Sequence, residues 1–235
     1  MIIKSKDNSI VKIIKKLSKR KYRDLENKYI IESKKMIDEA LKSNIDVEAI
    51  IVREDIISPY KNSIILDKKL FNSLSSFVTP DGYMAIVNKK TSKLISNKVL
   101  ILDKLQDPGN LGTLIRSSEA FGFETIISIN SVDFYNEKVL RASMGSIFRL
   151  NLIESNYDDL SNILEHEVLI ADMNGEDYRN IKSLDKLAIV IGNEGRGISG
   201  NIKKLRHKLV KIPMKGRVES LNAGVSGSIL MSKFS

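Results

Sequence analysis

The chain has 235 residues, of which 42% are hydrophobic, and this length is sufficient for two packed domains. It carries 38 lysine and arginine residues against 29 aspartate and glutamate residues, a formal net charge of +9, which favours a polyanionic partner such as nucleic acid. The absence of cysteine excludes disulfides, thiolate metal sites and cysteine nucleophiles.

The only two histidines, His166 and His207, lie in charged segments that we predict to be helical. We expect both side chains at the solvated surface, and we therefore expect no metal site. The first residues lack the apolar core of a signal peptide, and no apolar run reaches the ~18 residues that a membrane span needs. We expect a cytoplasmic protein with no membrane partner.

Residues 8–19 carry apolar side chains at helical spacing, which predicts an amphipathic helix. Seven basic residues and no acidic residue occupy positions 12–23. They form either a solvated helix face or a surface that follows RNA phosphates, and we favour the second interpretation. The seven residues are Lys12, Lys15, Lys16, Lys19, Arg20, Lys21 and Arg23.

Strand-like and helix-like segments then alternate as far as residue 90. This alternation predicts a small α/β domain over residues 1–90, followed by a polar linker at 91–98. The predicted strands are 29–33, 46–52, 63–67 and 82–89, and the predicted helices are 34–43 and 68–76.

From residue 99 the alternation begins again with more strongly apolar strands. Near-continuous apolar strands between helices indicate a parallel sheet covered on both faces, so residues 99–235 are predicted to form a second α/β domain. Ligands of such sheets bind beyond the carboxyl ends of the strands. The predicted strands are 99–103, 125–129, 168–172, 187–191 and 209–213, and the predicted helices are 111–121, 137–147, 158–166, 199–207 and one from about 219.

Three candidate functional segments each follow one of these strands. The first is DKLQDPGNLGTLIRSSEAFGF, residues 103–123. Its Asp-Pro-Gly at 107–109 predicts a turn, and Asn110 is predicted to be the N-cap of the next helix, which Gly122 would end. Arg116 lies on a different face of that helix from the apolar residues, where it is either a surface arginine or an anion clamp.

The second segment, IGNEGRGIS, follows the apolar run LAIVI. A glycine-rich turn after a buried strand often holds phosphate, but Glu194 at the centre of this one would repel a polyanion. The sequence GNEGRG also differs from GxGxxG and comes late in the chain. Both features argue against a dinucleotide-dependent oxidoreductase.

The third segment is KIPMKGRVESLNAGVSGSILM, residues 211–231. Pro213 is predicted to end a strand, and Ser220 and Asn222 to begin a helix rich in small residues. Small side chains allow another backbone to approach closely, either a neighbouring helix, a second subunit or a ligand. A closely packed core helix is an equal alternative.

Together, NLGTLIR, IGNEGRGIS and IPMKGRVESLNAGVSGSIL resemble, in order and spacing, the three motifs of the SpoU, or TrmH, branch of the SPOUT RNA methyltransferases. The segment RASMGSIFRL is similar to the region of that family between its first two motifs. In the first half, KYRDLENKYIIES and FVTPDGYMAIV more weakly resemble the ribosomal-protein-L30e-like substrate-binding domain. There, Ser33 stands where that domain commonly has glycine.

The resemblance implies methyl transfer from S-adenosylmethionine to a ribose 2′-hydroxyl of structured RNA, with ribosomal RNA favoured over transfer RNA and no DNA. It also implies an α/β catalytic domain with a deep trefoil knot near its C-terminus, and a homodimer. The alternatives are a transfer-RNA 2′-O-methyltransferase and a catalytically silent RNA-binding or ribosome-assembly protein.

Matched motif by motif, four residues would line the cofactor site: Gly192, Ile212, Leu221 and, more weakly, Met214. The loop at 171–174 is a further weak candidate for this lining. S-adenosylmethionine carries no phosphate and its sulfonium is positive, so Glu194 would not conflict with this ligand. The glycines would allow the backbone to approach the cofactor closely.

The active-site residues implied by the same match are Asn110, Arg116, Glu194, Ser220 and Asn222. The two asparagines and the serine would hold the geometry of an in-line attack, and Glu194 would pair with Arg116 or orient polar groups around it. An arginine stays protonated far above neutral pH. We therefore assign Arg116 to phosphate binding and leave the general base open.

Overall fold

The computed structural model describes residues 2–90, 94–163, 165–182 and 184–235. The described chain forms two compact units, one from residues 2–90 with 135–140, the other from 94–134 with 141–235. The predicted linker at 91–98 includes residues 91–93, which lie outside the described residues, and its last residue, Lys98, begins a strand.

The first unit is built on a five-stranded mixed sheet of order β1-β4-β3-β5-β2. Strands β2 and β3 pair antiparallel with β5, and the other pairs are parallel. Its strands are β1 (Ile2–Ile3), β2 (Lys28–Glu32), β3 (Val47–Arg53), β4 (Ile64–Leu66) and β5 (Tyr83–Asn88), and its helices are α1 (Ser9–Leu17), α2 (Arg20–Glu26), α3 (Lys34–Lys42) and α4 (Lys68–Leu74).

Side chains of α1 and α4 pack in one buried cluster with the sheet, and this cluster includes Met84 and Ile86 of β5. Successive residues of a strand point to opposite faces, so Ala85 and Val87 face the other way. There α3 contacts β2 and β5, and buries Ile37 completely. The small α/β fold predicted for this part of the chain is confirmed.

The basic segment differs from the prediction in its helices and in the position of one basic residue, Arg23. Helix α1 ends at Leu17, earlier than predicted, and a second helix, α2, was not predicted. Arg23 of α2 is only 7% exposed, and its guanidinium donates to the carbonyl oxygens of Leu17 and Ser18, each over 2.9 Å. Arg23 therefore satisfies the end of α1, and its assignment to an RNA-binding surface is wrong. The other six residues are exposed, and we call them the basic surface: Lys12, Lys15, Lys16, Lys19, Arg20 and Lys21.

The second unit is built on a six-stranded sheet of order β11-β9-β10-β6-β7-β8, in which all pairs are parallel, as predicted. Every residue of β7 and β10 is buried, which is expected for strands covered on both faces. The strands are β6 (Lys98–Asp103), β7 (Thr125–Ile129), β8 (Asn151–Ser155), β9 (Glu167–Asp177), β10 (Leu187–Ile191) and β11 (His207–Lys211). The helices are α5 (Pro108–Ala120), α6 (Glu137–Ser143), α7 (Tyr157–Ile163) and α8 (Ala223–Lys233). The first four residues of α6 belong to the first unit.

Three features of the second unit differ from the predictions. Strand β8 was not predicted, because the sequence NLIES is only partly buried and lacks a continuous apolar run. The predicted helix at 199–207 is reduced to one 3-10 turn, Ile202–Lys204, and His207 already pairs with Val168 as the first residue of β11. Neither histidine is fully solvated, since both are half-buried, and Nε2 of His166 lies 2.8 Å from the carbonyl oxygen of Ser96.

Within the described residues, no helix combines the length and the apolar character required to cross a membrane. The order of strands in a sheet does not define how the chain passes through its own loops. The trefoil knot therefore stays a prediction.

Candidate active site

Asp103, the last residue of β6, is completely buried and accepts two hydrogen bonds. Its Oδ1 accepts from the Tyr157 hydroxyl over 2.6 Å, and its Oδ2 from the backbone N–H of Ser199 over 2.6 Å. Burial, and then the hydrogen bond to Asp103, raises the pKa of Tyr157. Asp103 thereby anchors the far end of the glycine-rich segment to the end of β6.

The N-cap of α5 is Asp107 and not Asn110, because the Asp107 side chain accepts from the Asn110 N–H over 2.7 Å and Pro108 takes the first helical position. The predicted turn at 107–109 is accordingly the start of the helix. Asn110 lies in its first turn and is 8% exposed. Its Nδ2 donates to Oε1 of Glu194 over 2.8 Å. Glu194 thus orients a polar group, which was one of its two predicted uses.

The glycine-rich segment after β10 is a tight turn closed on itself. Asn193 and Gly197 exchange two backbone hydrogen bonds, of 3.1 and 2.9 Å. Oδ1 of Asn193 accepts from the N–H groups of Gly195 and Arg196, and its Nδ2 donates to the Lys104 carbonyl oxygen over 2.9 Å. Because these N–H groups are used inside the turn, they do not point at a ligand as in a phosphate loop.

The geometry of the turn explains why two of its positions are occupied by glycine. Gly197 has φ +65°, a left-handed conformation that glycine adopts without strain. A Cβ on Gly192 would stand 2.7 Å from the carbonyl oxygen of Gly197, so the two backbones touch. The missing side chain at Gly192 therefore lets the turn close against the end of β10.

Helix α8 begins at Ala223, with Asn222 as its N-cap, and Ser220 lies outside the helix in an exposed position. The Asn222 side chain accepts from the Val225 N–H over 3.2 Å. A Cβ on Gly227 would stand 2.3 Å from Cδ2 of Leu114, so the small residues of α8 allow α5 to approach. Of the alternatives for what approaches the small residues of α8, the structure shows a neighbouring helix, α5.

A cleft of about 400 Å³ opens at the carboxyl ends of β10 and β11. One wall is the part of β9 at 171–174, which the sequence suggested as a loop. It lies within the strand, where the pairing with β11 is interrupted between Ile170 and Glu176. The cleft is lined by all four residues predicted for the cofactor, Gly192, Ile212, Met214 and Leu221, and by Glu194 and Ser220.

Four of the five predicted active-site residues, Asn110, Glu194, Ser220 and Asn222, lie in or beside this cleft. Asn110 is hydrogen-bonded to Glu194. Asn110 and Asn222 both lie next to Gly224, because a Cβ placed on that glycine would be 3.3 Å from Oδ1 of Asn110 and 3.2 Å from Oδ1 of Asn222. Ser220 lines the cleft with Glu194. Arg116 is exposed on α5 and, within the described ranges, forms no ion pair or side-chain hydrogen bond.

Sequence reasoning missed Asp103, Tyr157 and Asn193, which hold the turn. A signal existed for two of them, because Asp103 ends an apolar strand and Asn193 flanks a glycine. Tyr157 had none, since its role depends on contact with a residue 54 positions away.

The lining of the cleft suits S-adenosylmethionine better than a phosphate ligand. Apolar side chains such as Ile198 and Leu230 offer surface for an adenine ring, while the carboxylates of Asp172 and Glu194 would attract a positive sulfonium. In the part of the chain that the structure describes, no three His, Asp or Glu side chains cluster so as to hold a metal ion.

The fold is similar to that of known RNA methyltransferases along nearly the whole chain. The S-adenosylmethionine-bound rRNA methyltransferase of Sinorhizobium meliloti superposes with a TM-score of 0.87, covering 99% of this chain and 96% of that one at 24% identity. An RNA 2′-O ribose methyltransferase of known structure has a TM-score of 0.79 at 26% identity, covering 99% and 97%. The fold and the cleft together define an S-adenosylmethionine-dependent RNA methyltransferase of the SPOUT class.

Sequence comparison narrows the class to a family. The SpoU rRNA Methylase family matches residues 97–232, and the MRM3-like substrate binding domain matches residues 8–85. RlmP of Bacillus subtilis, a 23S rRNA (guanosine(2553)-2′-O)-methyltransferase, is 32% identical over 240 residues and 97% of each chain. The chain belongs to the SpoU rRNA methylase family, which confirms the predicted family, enzyme class and cofactor.

Proposed function

We propose that this protein transfers the methyl group of S-adenosylmethionine to a ribose 2′-hydroxyl of ribosomal RNA. The observation that carries the proposal is the convergence of Asn110, Glu194 and Asn222 beside a cleft lined by apolar side chains and the carboxylates of Asp172 and Glu194. The likeness to RlmP, which extends over both units and is named for ribose methylation of 23S rRNA, supports ribosomal RNA as the substrate.

Gly192, Ile212, Met214 and Leu221 are proposed to hold the cofactor, because they lie together in the cleft lining. When bound, the cofactor supplies a methyl group on a positively charged sulfur, which needs no further activation. The residues of this chain then have to orient the ribose and exclude other nucleophiles.

The polar residues at the cleft are proposed to position the ribose. Asn110 and Asn222 each carry an amide that both donates and accepts, and Ser220 adds a hydroxyl. Glu194 fixes the Asn110 amide through their hydrogen bond. Arg116, exposed and without a partner in the described ranges, is proposed to bind the phosphate next to the target nucleotide.

The proposed division of labour follows the predicted domains. Residues 1–90 would hold structured RNA through the phosphates that contact the basic surface, residues 91–98 would link the domains, and residues 99–235 would carry out methyl transfer. A homodimer, the knot and a cytoplasmic location follow from the sequence and the family resemblance, and they stay predictions.

The test uses tritiated S-adenosylmethionine with unmodified ribosomal RNA and, in parallel, unmodified transfer RNA. We expect label in ribosomal RNA, at one linkage that becomes resistant to alkaline hydrolysis because its 2′-hydroxyl is blocked. Label in transfer RNA alone would overturn the substrate. No label in either RNA, with cofactor binding intact, would indicate a silent RNA-binding protein.

A further inference from the structure

A second cavity, of about 330 Å³, lies in the first unit and shares no residue with the cleft. Its walls are the end of α1, strand β2, the two serines after α4 and the segment 135–137, which belongs to this unit. We call it the β2 pocket. Its volume falls in the range of ~300–1,000 Å³ that small-molecule sites occupy.

A preorganised carboxylate stands inside the β2 pocket. Glu32 accepts from the backbone N–H of Ser76 over 2.8 Å and from the hydroxyl of Ser75. These two bonds engage both oxygens and fix the side chain, while each oxygen keeps a second lone pair for another donor. A fixed carboxylate disfavours a phosphate and favours a ligand with N–H groups.

One aromatic residue, Tyr135, also lines the same pocket. The ring of Tyr135 lies with its centroid 4.4 Å from that of Tyr29, and Nζ of Lys89 stands 4.8 Å from its centre. Tyr29 is almost completely buried, so this contact holds Tyr135 in place. A rigid aromatic side chain is a surface against which a planar base can pack.

The β2 pocket borders the basic surface. Ser18, which lines the pocket, lies between Lys16 and Lys19 in the chain, and all three are exposed. The buried guanidinium of Arg23 fixes the carbonyl oxygens of Leu17 and Ser18 at this point. An RNA strand whose phosphates contact the basic surface would pass beside the pocket.

We propose that the β2 pocket takes one unstacked nucleobase of the RNA substrate, and that Glu32 selects a base with an exocyclic amino group. The inference rests on the proposed function, since it takes RNA as the ligand. Sequence-specific binding of RNA commonly uses splayed bases that stack on aromatic side chains and are hydrogen-bonded at their edges. Adenine, cytosine and guanine offer an amino group to the carboxylate, whereas uracil offers only one N–H between two carbonyl oxygens that Glu32 would repel.

The test measures the binding of the full chain to four fluorescent RNA heptamers, in which three uridines stand on each side of a central A, C, G or U. We expect at least one amino-bearing centre to bind about threefold or more tightly than the uridine centre, because hydrogen bonds to a charged acceptor are the stronger ones. Glu32→Gln should abolish this preference. Glu48→Gln removes the same charge from the same unit, outside the pocket, and should keep it.

Equal binding of all four heptamers to the unaltered protein would overturn the inference, and so would an unchanged preference in Glu32→Gln. A second variant, Ser76→Tyr, fills the pocket and should lose the preference while its far-ultraviolet circular dichroism and cofactor binding stay unchanged. Methyl transfer to ribosomal RNA is measured in parallel. If the unaltered protein methylates ribosomal RNA but shows no base preference, only the proposal for the β2 pocket is contradicted. If the unaltered protein shows no methyl transfer, the proposed function is contradicted.

Discussion

Nδ2 of Asn110 donates to Oε1 of Glu194 over 2.8 Å, and this bond joins two segments that lie 84 residues apart in the chain. Asn110 belongs to the first turn of α5, and Glu194 to the turn after β10. Asn110 is 8% exposed, so its amide has little access to water and depends on this acceptor. The bond therefore couples the start of α5 to the wall of the cleft that we propose to hold the cofactor.

Replacing Glu194 by alanine is expected to lower kcat by about 10- to 100-fold. The Asn110 amide would lose the acceptor that holds it, and misplacing a positioning group by about 1 Å can cost roughly 100-fold in rate. Glu194→Gln keeps an acceptor oxygen and should retain most of the activity. Initial rates with saturating S-adenosylmethionine compare the two, and equal rates for the alanine and glutamine variants would contradict the positioning role.

Arg116→Ala is expected to abolish methyl transfer while the Kd for S-adenosylmethionine stays within twofold. Arg116 is exposed, without a described partner, and absent from the cleft lining. Its removal should therefore change the free energy of unfolding by no more than about 0.5 kcal/mol. Arg206→Ala, an exposed arginine of the same unit, is the control. Isothermal titration with S-adenosylmethionine measures binding, and methyl-transfer rates measure catalysis. Full activity of Arg116→Ala would reject the assignment of Arg116 to the active site.

Gly192→Ala is expected to weaken binding of S-adenosylmethionine by tenfold or more. The new Cβ would lie 2.7 Å from a backbone oxygen of Gly197, so the turn must shift, and the cleft wall shifts with it. Gly200→Ala is a matched control, because a Cβ there has no atom within 4 Å. Cofactor titration measures both variants. Similar affinities for the two would show that the close contact at Gly192 is not required.

Ser33→Gly is expected to stabilise the protein by about 1 kcal/mol. Ser33 has φ +92° and ψ 145°, a conformation that is nearly restricted to glycine and costs of the order of 1–3 kcal/mol for other residues. The substitution also has two costs. Loss of the N-cap bond from Met36 costs a few tenths of a kcal/mol, and the more flexible unfolded chain costs ~0.5–1 kcal/mol. Urea unfolding followed by circular dichroism measures the difference. A lower midpoint with an unchanged slope would mean that the cap outweighs the strain.

Lys15→Gln combined with Lys16→Gln is expected to weaken RNA binding and to reduce its dependence on salt. Each phosphate contact that is removed should lower the slope of log K against log salt by roughly 0.7–0.9. Arg23→Gln should behave differently, since it removes buried donors and should cost about 1–3 kcal/mol of stability. Titrations at several salt concentrations and thermal unfolding distinguish the two variants. An unchanged slope for the double lysine variant would place RNA elsewhere.

Local patterns in the sequence were sufficient for most elements of both sheets. Apolar runs predicted β6, β7 and β10, because strands covered on both faces carry little polar sequence. The same criterion missed β8, which is only half-buried. The residues before β11 were predicted to form a helix that extended to His207, the first residue of that strand. There, pairing of His207 with β9 prevails over the local pattern.

The sequence by itself determined the composition of the site: three polar or glycine-rich segments, each placed directly after an apolar strand, and a basic helix near the start of the chain. Only the tertiary structure decided which of these residues meet. The order β9-β10-β6 brings the turn after β10 next to the start of α5, and it lets Asp103, Asn110 and Lys104 hold that turn by hydrogen bonds. The packing of α2 on α1 likewise buried Arg23 among six exposed basic neighbours. Strand order and helix packing arise from contacts between residues distant in sequence, and the periodicity of a single segment carries no information about such contacts.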